Sequence, residues 1–149
     1  MALFDGASHN RAGGCGFILW TNENHSFSGW MGIGSGTKNF AELVTVWSLL
    51  FWLDKLKISD CRVLKYSKVI NDWLVGKSLL TAPLLQHWCH RTKDLISTME
   101  NINFAHVYRL FNKRVDFLSN RGLGCPVGLL FYEEHLDHKL LDSEQFRVF

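Results

Sequence analysis

Proline is scarce in this chain: two residues among 149, with no internal repeat and no low-complexity tract. The four cysteines, Cys15, Cys61, Cys89 and Cys125, lie too far apart for any Cys-x-x-Cys pair. Their spacing argues against a zinc knuckle or a redox dithiol. With no secretory leader, they read as reduced thiols, and the chain as intracellular, in nucleus or cytoplasm. Long hydrophobic runs are missing too. The most apolar stretch, Leu43 to Leu53, is too short to cross a bilayer and reads as a core helix. No phosphate-binding P-loop and no serine-hydrolase elbow occurs.

What is present is a large apolar payload. The hydrophobic fraction is 47%, with six Trp and eleven Phe, which describes a packed globule and excludes a disordered segment. The length suits one α/β domain with a sizeable core. Net charge is only +2, but it is unevenly spread. Residues 1–122 carry 14 basic and 9 acidic side chains, a net +5, while residues 123–149 carry 2 and 5, a net −3. A mildly basic body suits a polyanionic partner, and solvated lysines on helix faces explain it equally well.

Periodicity predicts the order βββαβααβα. Ala2–Asp5 reads as a short, truncated first strand. Gly16–Thr21 and His25–Gly32 form a hairpin across Asn22-Glu23-Asn24. Asn39–Leu56 is a helix, apolar at Phe40, Leu43, Val44, Trp47, Leu50 and Phe51, interrupted only by Thr45 and Ser48. Arg62–Tyr66 is a strand, followed by a helix from Ser67 to about Gly76. Pro83 opens another helix, where its missing N–H costs nothing, running to about Met99. Asn103–Arg109 returns as a strand, and Asn112–Arg121 closes as a helix.

Three carboxylates punctuate this pattern. Asp5 ends the first strand in Asp5-Gly6-Ala7-Ser8, Glu42 stands in Phe40-Ala41-Glu42-Leu43, and Asp116 closes His106-Val107-Tyr108-Arg109-Leu110-Phe111-Asn112-Lys113-Arg114-Val115-Asp116. Each has an ordinary alternative. Asp5 could open an Asp-Gly turn, Glu42 could complete a capping box begun by Asn39, and Asp116 could answer the helix dipole. In this order and context, however, the set resembles the ribonuclease H family, most closely the retroelement-derived, reverse-transcriptase-like RNase H domains abundant in plant genomes.

The resemblance covers residues 1–122 and leaves 123–149 as an extension with no assigned role. It implies a mixed five-stranded sheet with helices packed on it. It also implies hydrolysis of the RNA strand of an RNA–DNA hybrid by two Mg²⁺ ions, held by convergent carboxylates that activate a water and stabilise the leaving oxyanion. On this reading Asp5, Glu42 and Asp116 are the catalytic and metal-binding residues, and Asn10, Arg109, Asn112, Lys113 and Arg114 meet the nucleic acid.

The chain departs from the family at Tyr66. Relatives carry Asp-Ser-Lys there, followed by an apolar helix and Trp-Leu; this chain reads Tyr66-Ser67-Lys68, then Trp73-Leu74. A phenol titrating near 10 is neutral at pH 7 and intrudes where a metal should sit. Asp72, six residues on and about 9 Å further along a helix, reads as a surface residue rather than a substitute. The loop after Ser8 is also compressed, to His9-Asn10-Arg11-Ala12-Gly13-Gly14. These departures imply a nucleic-acid-binding domain with hydrolysis impaired. Two alternatives stay open: an active Mg²⁺-dependent hybrid endonuclease, and a non-catalytic module on the same fold that binds a protein partner. His87-Trp88-Cys89-His90 reads as a helix with Trp88 inward, and the Glu134–His138 stretch as a solvated acidic helix.

Overall fold

A computed structural model describes residues 1–65, 68–76, 80–106 and 113–149 of the chain. Its strands are β1 (Ala2–His9), β2 (Ala12–Asn22), β3 (His25–Ser35), β4 (Asp60–Lys65), β5 (Asn101–His106), β6 (Leu129–Leu136) and β7 (Lys139–Arg147). The helices are α1 (Lys38–Lys55), α2 (Lys68–Leu74), α3 (Pro83–Ser97) and α4 (Lys113–Gly122). All seven strands join one mixed sheet in the order β5-β4-β1-β2-β3-β6-β7. Strand β4 runs parallel to β1 and β5; the other pairings are antiparallel.

Strand β2 carries the run Phe17-Ile18-Leu19 because both faces of the sheet are covered there. Phe17 and Leu19 enter the large core under α1, whereas Ile18 enters a second core with Leu3, Trp30, Val115 and Leu118 under α4. That is the period-two alternation of a strand buried on both sides. Helix α1 is buried from Phe40 to Leu50. Its two polar interruptions are satisfied within the helix: Thr45 Oγ1 donates to the Ala41 carbonyl at 2.6 Å and Ser48 Oγ to that of Val44 at 2.8 Å. The α1 N-cap is Thr37, whose hydroxyl accepts from Phe40 N at 3.2 Å, so Asn39 lies inside the helix and does not begin the capping box offered as an alternative role for Glu42.

Three sequence expectations are corrected. First, β1 does not end at Asp5: it runs eight residues from Ala2 to His9, and Asp5-Gly6 lies within its ladder, paired with Gly16 and Cys15, rather than at a turn. The reversal falls at Asn10-Arg11, whose φ angles of 48° and 65° make a two-residue hairpin turn of the primed kind. Second, the sheet has seven strands and not five, because residues 129–147 add a hairpin beside β3. The acidic stretch read as a helix is β6 turning into β7 across Asp137-His138, both at positive φ. No glycine marks that turn, which hid it. Third, Asp72 is half-buried in α2 rather than on the surface. The inward Trp88 agrees with the sequence: it is buried, with His87 and His90 exposed.

The hairpin is joined to the core by aromatic contacts. Trp52 of α1 lies 4.6 Å from Tyr132 and 5.3 Å from Phe146, ring centre to ring centre, and Phe149 reaches Trp47 and Trp88 at 6.2 and 5.8 Å. Among the described residues, no helix is long and apolar enough to cross a membrane.

Candidate acidic site and nucleic-acid face

Asp5 is held in the middle of the sheet, 4% exposed, with Oδ1 accepting from Gly6 N at 3.0 Å. Gly6 explains how α1 comes so close. A Cβ on Gly6 would stand 2.3 Å from Glu42 N and 2.4 Å from the Ala41 carbonyl carbon, so the strand and the first turns of α1 meet backbone to backbone. The backbone of Glu42, itself 3% exposed, is thereby set against Gly6, the residue that follows Asp5.

Asp116 arrives from the other face. Gly16, the cross-strand partner of Asp5, lies under α4, where a Cβ would meet Ser119 N at 2.4 Å. Side chains directly opposite in a ladder share a face. Asp5 therefore points to the α4 side, in a row that continues through Gly16, Trp30 and Phe131. Asp116 is exposed in the first turn of α4, one turn before Ser119, and its carbonyl accepts from Ser119 Oγ and Asn120 Nδ2, each at 2.8 Å. Asp5 and Asp116 thus share one face of the sheet, with Glu42 entering from the helix beneath.

Carboxylate oxygens are the donors that a hard dication such as Mg²⁺ takes. Among the described residues, however, no three His, Cys, Asp or Glu side chains come together in a group able to hold a metal ion. Tyr66, Arg109 and Asn112 lie outside the described residues.

The remaining candidates flank α4 and the first hairpin. Lys113 and Arg114 are exposed at the start of α4, and Arg114 Nη2 donates to Ser28 Oγ at 3.1 Å. Asn10 is exposed in the β1–β2 turn, at the opposite end of β1 from Ala2. Further along α4, the Arg121 guanidinium lies 4.0 Å from the ring centre of Trp30. All four cysteines are free. Burial pushes the Cys15 thiol up to about 12, against smaller opposing hydrogen bonds from Thr45 and Ser48. Such a thiol is a core side chain with no nucleophilic role.

His135 and His138, whose spacing with Glu134 and Asp137 resembles a metal-ligand set but which the sequence assigns to a solvated helix, are brought to the α4 side by β6 and its turn. The available signal was two apolar-to-polar runs, Leu129–Leu136 and Lys139–Arg147, separated by two residues.

The chain matches the family model described as reverse transcriptase-like over residues 3–122. A comparison with curated proteins finds no match. Among solved structures, RNase H1 from the halophilic archaeon Halobacterium salinarum NRC-1 aligns at 26% identity and TM-score 0.77, over 82% of this chain and 95% of that one. An N-terminal RNase H domain from Mycobacterium tuberculosis, solved as a fusion with maltose-binding protein, aligns at 25% identity and TM-score 0.71, over 82% and 98%. LC11-RNase H1, solved in complex with an RNA/DNA hybrid, shares the fold at 22% identity and TM-score 0.69, over 82% and 94%. With most of its length inside the family match, this chain belongs to the reverse transcriptase-like family, as a ribonuclease H-like domain of retroelement type.

Proposed function

We propose that the chain is a ribonuclease H-like domain that binds nucleic acid, an RNA–DNA hybrid above other duplexes, with its hydrolytic activity impaired. The observation that carries the impairment is the residue following β4. That strand lies beside β1 in parallel, with Leu64 paired to Leu3, and the next residue after Lys65 is Tyr66, where the family resemblance implies an acid. Asp5 and Glu42 keep their places in the strand and helix that the family resemblance assigns to them. A neutral phenol does not supply the negative charge that an acid would bring.

The hybrid preference draws on LC11-RNase H1, which was solved with that ligand, and on the exposed Lys113 and Arg114 at the start of the helix that carries Asp116. A hybrid would be read through groove shape, 2′-hydroxyls and phosphates rather than base edges. The test is a labelled hybrid incubated with Mg²⁺ or Mn²⁺, with binding followed in parallel as salt is varied. Salt-sensitive binding with little or no cleavage is expected. Cleavage at a normal rate would favour an active endonuclease, and failure to bind at low salt a protein-binding module.

A further inference from the structure

We infer that a concavity between the two hairpin turns and the start of α4 binds a nucleotide phosphate, so that the C-terminal hairpin adds a contact to the nucleic-acid face. This inference rests on the nucleic-acid-binding reading above and extends it to residues outside the family match.

The cavity holds about 270 Å³ and is lined by Trp20, Ser26 and the Glu23-Asn24 turn on one side, Arg114 on another, and His135 and His138 on the third. Ladder register puts Trp20, Ser26 and His135 directly opposite one another across three strands, so all three project toward α4. The two turns are tied together: Asp137 N donates to the Asn24 carbonyl at 2.8 Å, which fixes His138 at the rim. Arg114 directs one of its five N–H donors to Ser28, leaving a planar fork suited to phosphate oxygens.

Among the lining residues Arg114 is the fixed cation and Glu23 the carboxylate. Glu134 pairs with Phe27 in the ladder, not with Ser26, so it faces the α1 side, where its carboxylate meets His25 Nε2 at 2.6 Å. Glu133 lies 3.7 Å from His135 Nε2 and Glu23 stands in the turn, while the Arg114 guanidinium and the two imidazole rings carry the N–H donors that a phosphate accepts from. The Trp20 ring supplies an apolar wall on which a ribose or base can lie. Position strengthens the case. Arg114 and Asp116, two residues apart on a helix, point to opposite flanks of α4. A strand crossing the start of α4 would meet the acids on one side and this cavity on the other. The ligand chemistry is a phosphate ester, and its source is either a hybrid strand or a free nucleotide.

The test uses the full chain with histidine rings labelled for NMR, titrated separately with adenosine monophosphate and with a short RNA–DNA hybrid, and anisotropy for hybrid affinity. His138→Asn keeps a residue tolerant of positive φ, and His135→Gln keeps a polar strand residue. Each should weaken hybrid binding by about fivefold and reduce the shift of the remaining ring on titration. His90→Gln, exposed on α3, should change neither. If both folded variants keep wild-type affinity and the remaining ring's shift while the wild type binds hybrid, the cavity inference is overturned and the binding reading stands. If adenosine monophosphate shifts the His135 and His138 rings but hybrid does not bind, the cavity is a free-nucleotide site and the binding reading fails. Silence toward both probes overturns both.

Discussion

At the residue scale, Tyr66 decides the chemistry proposed here. Tyr66→Asp supplies the missing charge and removes a larger ring, so it should raise Mg²⁺-dependent cleavage of the RNA strand in a hybrid. The double variant with Asp5→Asn should be inactive, because on this reading the gain also depends on Asp5. A folded Tyr66→Asp protein that binds hybrid yet stays inert would move suspicion to the short Asn10-Arg11 turn. Cys15 gives a second residue-scale prediction. Its folded-state value of about 12 stands above the ordinary 9.0 because burial favours the neutral thiol. The corresponding stability is complete below pH 9 and is lost as pH rises toward 12. The gap in urea midpoint between wild type and Cys15→Ala should therefore shrink through that window. The other three thiols and Tyr132 shift in the same direction, through burial first, so the difference between the two proteins is the quantity to read.

At the element scale, β1 is the scaffold of the candidate site, and its contact with α1 is made possible by one glycine. Gly6→Ala would push a methyl group into the backbone of Ala41 and Glu42. Backbone cannot rotate away as a side chain can, so the helix or strand must shift. The expected cost is about 1–3 kcal/mol or more, read as a lower urea midpoint, together with weaker hybrid binding if Glu42 moves. The elements were legible wherever periodicity was strong. Helix α1 carries so many apolar residues that the sequence assigns it to within a residue, and Pro83 marks the start of α3. Strand β1 was misread because Asp5-Gly6 has the composition of a turn, and only ladder pairing with Gly16 and Cys15 reveals that the chain continues straight. The β6–β7 hairpin was missed because Glu133, Glu134, Asp142 and Glu144 give it an acidic character, and its turn residues Asp137 and His138 adopt positive φ without glycine.

At the scale of the whole molecule, the uneven charge acquires a spatial meaning. The net +5 of residues 1–122 includes Lys113 and Arg114 at the start of α4, while the acidic hairpin extends the far edge of the same sheet. Neutralising Lys113 and Arg114 together should weaken hybrid binding and reduce its salt slope by about two, since each phosphate contact releases about one condensed counterion. Anisotropy titrations over a range of salt concentrations measure this directly; an unchanged slope would place the nucleic acid elsewhere on the surface.

The sequence alone determined the α/β class, the buried long helix, the order of the first nine elements and the three carboxylates with their context. These rest on local signals: hydrophobic period, a helix-opening proline, and short motifs whose spacing survives without any tertiary contact. Only the tertiary structure decided that Asp5 and Asp116 share a face, that Gly6 lets the backbone of Glu42 close on β1, and that the last segment is a sheet hairpin closing a cavity over Arg114. Each of these depends on which strand pairs with which and in what register. Register is settled by contacts between residues far apart in the chain, so no window of sequence contains it.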